Sequence, residues 1–144
     1  MHSIADTDKA RLMQQVDMNF VACFLCCRAA VKAIGRSGGG RIVNVAARPG
    51  LEWRSGAGMV AYAASKAAVA AMTAALAEEV AKDGILVNAV APSIMDTPAN
   101  RAAMPQADFS AWPKVEDVAA TILFLASPGN AVTRGGIVPV YGKS

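Results

Sequence analysis

Charged side chains are scarce in this 144-residue sequence, where they make up 17% of all residues. The formal net charge of +3 is spread along the chain, and no continuous run of lysine or arginine is present. Proteins that bind a phosphate backbone gather these residues into patches or stripes. The charge pattern therefore argues against a nucleic-acid partner.

The sequence also has little that resembles a membrane anchor. Its longest uninterrupted apolar run, Phe20 to Cys27, ends at Arg28, well short of the length that crosses a bilayer. The first ten residues, MHSIADTDKA, contain acidic side chains and lack the basic start and apolar centre of a signal peptide. We expect a cytoplasmic protein that does not bind membranes.

Residues that bind metals are few, with one histidine and three cysteines in the chain. Cys23, Cys26 and Cys27 share one apolar segment, and His2 is far from them in sequence. Reduced thiols in such segments usually pack as small apolar groups in intracellular proteins. We expect three buried thiols and no metal site.

Apolar residues are abundant, at 54% of the chain, which is enough for the core of one domain. A long helix is predicted over residues 7–34, and it is apolar nearly all round in its middle. Such a helix needs cover on more than one side, which favours oligomerisation. Further helices are predicted at about 59–82 and 114–127, with a short helical turn after Thr97.

Three apolar strands are predicted between and after these helices, with the sequences RIVNVA, ILVNAVAP and GGIVPVYG. The alternation of helix and strand is typical of a parallel α/β sheet with right-handed crossovers. Pro139 lacks a backbone donor, so the third strand should lie at a sheet edge. A parallel sheet of only three apolar strands is small, and the first strand should lack a neighbour on one side.

Two glycine-rich segments resemble phosphate-binding turns but stand in the wrong context. GAGMVA, residues 56–61, matches the pattern G-x-G-x-x-A before a helix, yet a loop separates it from the preceding strand. The dinucleotide fingerprint requires a tight turn directly after a strand. SGGGR precedes a strand, so we expect neither segment to bind a cofactor phosphate.

One polar pair interrupts the alanine-rich segment MVAYAASKAAVAAM: Tyr62 and Lys66, four residues apart. On a helix, both side chains project from one face. Together they match the Tyr-x-x-x-Lys motif of the short-chain dehydrogenase/reductases. The chain resembles that family over nearly all of residues 7–142: VDMNF is similar to its helix with a buried asparagine, and GRIVNV, ILVNAVAPSIMDTP and RGGIVPVYG are similar to its fifth, sixth and seventh strand regions.

The resemblance implies a single partial Rossmann-like domain over residues 1–144, part of a doubly wound parallel sheet. It also implies an oxidoreductase that uses NAD or NADP on a carbonyl or secondary alcohol of a small molecule. Tyr62 would be the general acid/base. Lys66 would favour its phenolate, since a nearby ammonium stabilises the charged form, and would bind the nicotinamide ribose. Asn19 would hold a water molecule of the proton relay.

Further cofactor contacts are implied after the sixth strand of the family. Pro92, Ile94 and Thr97 would lie beyond the carboxyl end of a parallel strand, where open α/β sheets bind ligands. Thr97 has an alternative role as the cap of the following helical turn. Residues 93–112 would form a substrate lid with an apolar wall that includes its methionines, Ala99 and Trp112. The helices at about 7–34 and 59–82 would form a homo-oligomer.

The sequence departs from the family pattern at two places. The family has a substrate-orienting serine after its fifth strand, where this chain has Ala47. Ser55 in the same loop is a candidate substitute. The glycine-rich phosphate turn and the other features of the family's first four strands are absent, and Met1 falls about where the chain would emerge from the fourth. We therefore expect the later part of a longer domain, weak or inactive by itself.

Three functional hypotheses follow. The first is the catalytic and oligomerisation part of an NAD(P)-dependent oxidoreductase. The second is a non-enzymatic scaffold or regulatory subunit that keeps the family's architecture. The third is a fragment with no function of its own, whose open strand edge would favour pairing between copies. Retention of Tyr62, Lys66 and Asn19 favours the first.

Overall fold

The structure, a computed structural model, describes residues 3–144 as alternating helices and strands around one small sheet. The main elements are α1 (Lys9–Gly35), β1 (Gly40–Val45), α2 (Val60–Glu79), β2 (Ile85–Pro92), α3 (Pro98–Ala103), α4 (Val115–Ala126) and β3 (Ile137–Val140). Short 3₁₀ turns lie between them at Arg48–Gly50, Trp53–Gly56, Ala81–Asp83 and Phe109–Ala111. The alternation predicted from the sequence is confirmed.

The sheet is parallel, with strand order β1-β2-β3. Val45 at the end of β1 pairs with Val90, and Pro139 on β3 lies opposite Ala91. Pro139 therefore lies on an edge strand, as its missing donor predicts. In the described residues β1 pairs only with β2, so its other backbone edge is open.

Helices cover both faces of the sheet, as in a doubly wound fold. On one face, α2 packs through small residues onto β2, in a core of Ala46, Val69, Ala70, Ala89 and Ala91. A second core joins Ala77 and Val80 to Ile85 and Val87, with Val31 and Ile34 of α1 against it. On the other face, Val118 and Leu125 of α4 pack against Val90. The chain is therefore layered helix, sheet, helix around β2, the central strand.

Helix α1 is only lightly covered in this single chain. Met18, Phe24 and Leu25 are each about half exposed or more, at 66%, 48% and 51%. Cys26 is also exposed, and Cys23 is only partly buried. The prediction of three buried thiols was therefore wrong for two of them, because this part of α1 has apolar residues on its outward face as well.

Two helices are long and apolar enough to cross a membrane by length and composition, Lys9–Gly35 and Val60–Glu79. This differs from the sequence-based expectation, which considered only uninterrupted apolar runs. Mean hydropathy reaches 1.5 and 1.4 in these helices because alanine and cysteine outweigh scattered polar residues. Core helices of soluble proteins meet the same criterion, and α2 packs against the sheet, so the observation is weak evidence for a span.

The turn Arg48–Gly50 packs so closely on α2 that residue 50 has no space for a side chain. A Cβ at Gly50 would lie 2.7 Å from the Lys66 carbonyl carbon and 2.8 Å from the Ala67 nitrogen. Gly50→Ala is expected to lower the free energy of unfolding by about 1–3 kcal/mol, because the clash is with helix backbone. Urea denaturation measures this.

The matched control for Gly50 is Gly35→Ala at the end of α1, where nothing lies within 4 Å of the added Cβ. Alanine is the better helix former at such a site, so stability should stay equal or rise slightly. Equal stability of the two variants would contradict the close approach at Gly50.

Candidate functional site

A cavity opens where β1 and β2 end. It has a volume of about 890 Å³ and is bounded by the start of α1, the turns after β1, the start of α2 and the segment after β2. Of the residues predicted as a site, Tyr62, Ser55, Pro92 and Ile94 line it, and so does Ala47. The fold thus brings Ala47 and Ile94, 47 positions apart in the sequence, to one cavity. Carboxyl ends of parallel strands are the usual ligand-binding edge of such sheets.

Tyr62 and Lys66 lie on one face of α2, as their spacing predicts. The Lys66 amine donates a hydrogen bond of 2.9 Å to the carbonyl of Val45 at the end of β1. Its nitrogen lies 6.0 Å from the centre of the Tyr62 ring. Lys66 is therefore held between α2 and the end of the strand, close to the phenol without binding its oxygen directly.

Burial determines the direction of both pKa shifts. It raises the pKa of Tyr62 above its ordinary value, because the phenolate would lose hydration. It lowers the pKa of Lys66 for the same reason, an effect that Cys23 opposes. The expected lowering of the Tyr62 pKa by Lys66 is not present in this chain. The phenol is thus protonated at neutral pH.

This protonation state is directly measurable. Neither tyrosine of the chain should ionise near neutral pH, since burial also raises the pKa of Tyr141 above the ordinary value of about 10. Phenolate absorbance should therefore remain absent until strongly alkaline pH, where both transitions appear. A transition near neutral pH that disappears in Tyr62→Phe would contradict the assignment.

Asn19 lies in a π-helical turn, Val16–Val21, within α1. Its amide nitrogen donates to the carbonyl of Gln15 at 3.0 Å and to the Gln15 side-chain oxygen at 3.3 Å. π-Helical turns inside α-helices occur often at functional sites. Gln15 lines the cavity, whereas Asn19 itself does not, so the structure brings Asn19 to the second layer of the cavity wall.

Ala47 and Ser55 occupy the loop after β1. Ala47 is 5% exposed and lies in the cavity wall, where its methyl side chain offers no hydrogen-bond donor. The Ser55 hydroxyl donates to the Glu52 carbonyl at 2.8 Å. Ser55 would have to rotate away from Glu52 before it could donate a hydrogen bond into the cavity.

The segment after β2 contributes backbone and small side chains to the site. Pro92 is buried and Ile94 is 42% exposed toward the opening. Thr97 caps α3, where its hydroxyl oxygen accepts a hydrogen bond from the Asn100 backbone at 3.2 Å. The capping role left open in the sequence is therefore present, and Thr97 does not line the cavity.

Several lining residues were not found by sequence reasoning. Arg11, Gln14 and Gln15 reach the cavity from α1, and their i, i+3, i+4 spacing was the available signal. Arg48 lies in the wall, paired with Glu52 at 2.7 Å and stacked over the Tyr141 ring at 4.9 Å.

The predicted lid wall is present in part: its methionines line the cavity, whereas Ala99 and Trp112 do not. Met95 and Met104 line the cavity, whereas Trp112 is 8% exposed and packs against Phe109 at 5.0 Å between ring centres. Trp112 thus anchors the base of the segment after β2.

In residues 3–144, no three side chains of histidine, cysteine, aspartate or glutamate come together as a metal site requires. The glycine-rich segment at residues 56–61 borders a separate groove of about 520 Å³ whose lining is largely apolar, with Trp53 and Val60 in its wall. Gly58 has a φ of +77°, which ends the preceding turn before α2. The segment therefore serves as a helix entry in this fold.

Comparison with known proteins gives a consistent result. A sequence profile described as short chain dehydrogenase matches residues 1–108. The chain is 36% identical over 136 residues to (2S)-[(R)-hydroxy(phenyl)methyl]succinyl-CoA dehydrogenase subunit BbsD of Thauera aromatica, which covers 88% of this chain and 53% of that protein. It is also 39% identical over 139 residues to 3alpha-hydroxysteroid dehydrogenase of Mediterraneibacter gnavus. That alignment covers 90% of this chain and 54% of the dehydrogenase.

Among solved structures, the NADP-bound form of ElxO superposes with a TM-score of 0.88 at 27% identity, over 99% of this chain and 61% of that one. The chain thus spans about half the length of the curated relatives it matches.

Proposed function

This chain belongs to the short-chain dehydrogenase family, and on that premise we propose that it forms the catalytic and oligomerisation part of an NAD(P)-dependent oxidoreductase acting on a carbonyl or secondary alcohol. The observation that carries the proposal is the presentation of Tyr62 in the wall of the cavity, with Lys66 held one helical turn away on α2. Similarity to two dehydrogenases, over about half the length of each, supports it.

In the reductive direction Tyr62 acts as the general acid. Its raised pKa keeps the phenol protonated at neutral pH, which is the form that can donate a proton to a carbonyl oxygen as it becomes an alkoxide. In the oxidative direction the phenolate is needed, and the Lys66 ammonium would stabilise it. Asn19, whose amide bonds to Gln15 in the cavity wall, would order the water that exchanges this proton with solvent.

The residues present fit the nicotinamide end of the cofactor. A cavity of about 890 Å³ that ends at Tyr62, Pro92 and Ile94 has room for the nicotinamide and its ribose beside a small substrate. Tyr62 would contact the ribose and Ile94 the carboxamide side. Lys66 and Thr97 do not line the cavity in this chain, so they would contact the ribose and the carboxamide side only after their side chains turned toward it. NAD or NADP would supply or accept the hydride when bound.

Neither glycine-rich segment of the 144 residues lies directly after a strand, as the turn that binds the cofactor's phosphates does. A dinucleotide held only at its nicotinamide end gains less binding free energy than one whose phosphates are bound as well. We therefore propose that these 144 residues by themselves are weakly active or inactive, and that activity is to be sought in the longest natural chain that contains them.

The experiment is a reductase assay on that longest chain. NADH and NADPH are each supplied with a panel of 3-oxoacyl thioesters, ketosteroids and small ketones, and cofactor oxidation is followed by absorbance. Turnover that depends on both cofactor and carbonyl supports the proposal. Absence of turnover together with absence of cofactor binding would overturn it.

We further propose that copies of the chain associate through the outer faces of α1 and α2. The exposed Met18, Phe24 and Leu25 of α1 and Val60 of α2 support this, because apolar side chains at this density favour burial in an interface. The alternative, a non-enzymatic scaffold, shares this interface and differs only in chemistry. Light scattering after gel filtration tests the association, and the effect of Tyr62→Phe on reductase activity separates the two functions.

A further inference from the structure

The cavity beside Tyr62 is lined by cationic side chains and by no carboxylate. Its charged lining residues are Arg11 and Arg48, and no aspartate or glutamate of residues 3–144 lines it. The charge of Arg48 is already balanced, because its Nε lies 2.7 Å from the Glu52 carboxylate. Arg11 forms no side-chain ion pair in the described part of the chain. The cavity therefore has an unpaired cation in its wall.

Most of the other polar side chains in the wall already bond to protein groups. Four hydroxyls and one side-chain amide each donate to a backbone carbonyl, at 2.7–3.0 Å; they belong to Thr7, Ser55, Ser93, Ser144 and Asn100. A hydroxyl has only one hydrogen to donate. These four hydroxyls therefore have none left for a ligand.

The donors that remain beside Tyr62 come from one face of α1. Arg11, Gln14 and Gln15 are spaced i, i+3 and i+4, which places them on one side of the helix, and all three line the cavity. None of their side-chain nitrogens donates a hydrogen bond within residues 3–144. Asp8 accepts a bond of 2.8 Å from the Arg11 backbone nitrogen and does not line the cavity. The α1 face thus offers three unpaired donor side chains.

Gln15 is held in place by a neighbour on the same helix. Its side-chain oxygen accepts a hydrogen bond from the Asn19 amide at 3.3 Å. The Gln15 amide nitrogen, with two hydrogens, is therefore the group that a ligand can meet. Gln15 is partly buried, whereas Arg11 is exposed. An acceptor group of a ligand would meet Gln15 inside the cavity and Arg11 at its opening.

The same cavity also has an apolar wall. Met59, Ile94, Met95 and Met104 line it. A ligand that fills this cavity therefore needs an apolar segment as well as an acceptor group.

We propose that the substrate is a keto acid, a carbonyl compound with an apolar chain and a carboxylate, and that Arg11 and Gln15 bind the carboxylate. This assignment rests on the proposed oxidoreductase function, because Tyr62 would contact the carbonyl oxygen of the same molecule. The guanidinium of arginine presents its N–H groups in a fork that matches a carboxylate. The Gln15 amide adds a neutral donor, and the methionines contact the chain between the two groups.

The first test is a binding measurement that does not require turnover. Calorimetric titration of the longest natural chain compares linear oxo acids of increasing length with their primary amides, which keep the shape and lose the charge. At one chain length or more, the acid should bind about 10-fold more tightly than its amide, a usual contribution of a hydrogen bond to a charged group. Equal affinity of every acid and its amide would overturn the proposal.

Arg11→Gln removes the charge and keeps a polar side chain on the same helix face. It should lower the affinity for the acid about 10-fold and leave the affinities for the amide, NADH and NADPH unchanged. Lys9→Gln is the matched control, because Lys9 is an exposed cation of the same helix that does not line the cavity. Its affinities should equal those of the unmodified protein. Loss of cofactor affinity in Arg11→Gln, with unchanged affinity for the acid, would overturn the proposal and assign Arg11 to a cofactor phosphate.

A second variant tests Gln15 without removing its bond to Asn19. Gln15→Glu keeps an oxygen that can accept from the Asn19 amide and adds negative charge beside the bound carboxylate. It should therefore weaken binding of the acid more than binding of the amide. Equal effects on the acid and the amide would contradict the contact of Gln15 with the carboxylate.

Steady-state kinetics separates this proposal from the proposed function. In an active enzyme, Arg11→Gln should raise KM for the keto acid and leave kcat nearly unchanged, as expected for a contact made equally in the ground and transition states. Turnover of neutral ketones without preference for acids would leave the oxidoreductase function standing and overturn the keto acid. Acid-selective binding that depends on Arg11, without turnover of any carbonyl, would contradict the oxidoreductase function and support the carboxylate site.

Discussion

Replacement of Tyr62 by phenylalanine is expected to lower kcat/KM for carbonyl reduction by about 100-fold or more, the usual contribution of a positioned general acid. The substitution removes one oxygen and keeps the ring, so packing at the start of α2 should be unchanged. Cofactor affinity should change little, because the ring remains in the cavity wall. The measurement is steady-state kinetics on the longest natural chain, with saturating NADH or NADPH.

The control for this prediction is Tyr141→Phe. Tyr141 is the chain's other tyrosine, and its ring lies under the Arg48 guanidinium, a contact that phenylalanine retains. Its rate should stay close to that of the unmodified protein. If Tyr62→Phe keeps full reductase activity, the phenol is not the acid. If neither the unmodified protein nor Tyr62→Phe has reductase activity, the scaffold hypothesis is favoured.

Ala47→Ser is the second substitution with a large expected effect, and here the expected change is a gain. Ala47 lies in the cavity wall at the end of β1 and has no hydrogen-bond donor. A serine hydroxyl at this position would donate to the substrate oxygen as negative charge develops on it. Loss of one such donor costs about 100- to 1000-fold in kcat, so we expect a gain of about 10- to 100-fold. Single-turnover rates separate this gain from changes in product release.

Ser55→Ala distinguishes a missing donor from a replaced one. If Ser55 already supplies the hydrogen bond, its removal should lower the rate and Ala47→Ser should add little. If no donor is present, Ser55→Ala should leave the rate unchanged, because the Ser55 hydroxyl is engaged with Glu52. If Ala47→Ser does not raise the rate and Ser55→Ala does not lower it, another group stabilises the charge on the substrate oxygen.

The order of elements could be predicted from the sequence because the local signals agree with one another. Apolar strands alternate with helices, Pro139 requires an edge, and the pair Tyr62 and Lys66 falls on one helix face. These features depend on backbone chemistry and helix periodicity, which operate over a few residues. The structure confirms each of them.

The details of the site depend on contacts between distant segments, so fewer of them could be predicted from the sequence. The partner of Lys66 is the Val45 carbonyl, 21 positions away, and nothing near Lys66 in the sequence indicates it. The π-helical turn at Asn19 inserts one residue into a continuous helical pattern. The exposed Cys26 stands among apolar residues that also cover the outer face of α1. In each case tertiary packing determines the outcome.

In the proposed enzyme, Tyr62, Lys66 and the segment after β2 form the nicotinamide end of a dehydrogenase cleft. The most direct test is a fluorescence titration of NADH and NADPH against the longest natural chain, repeated with Lys66→Ala. We predict saturable binding of at least one cofactor and a marked loss of affinity in the variant. Absence of saturable binding for both cofactors, or equal affinity with Lys66→Ala, would contradict the claim.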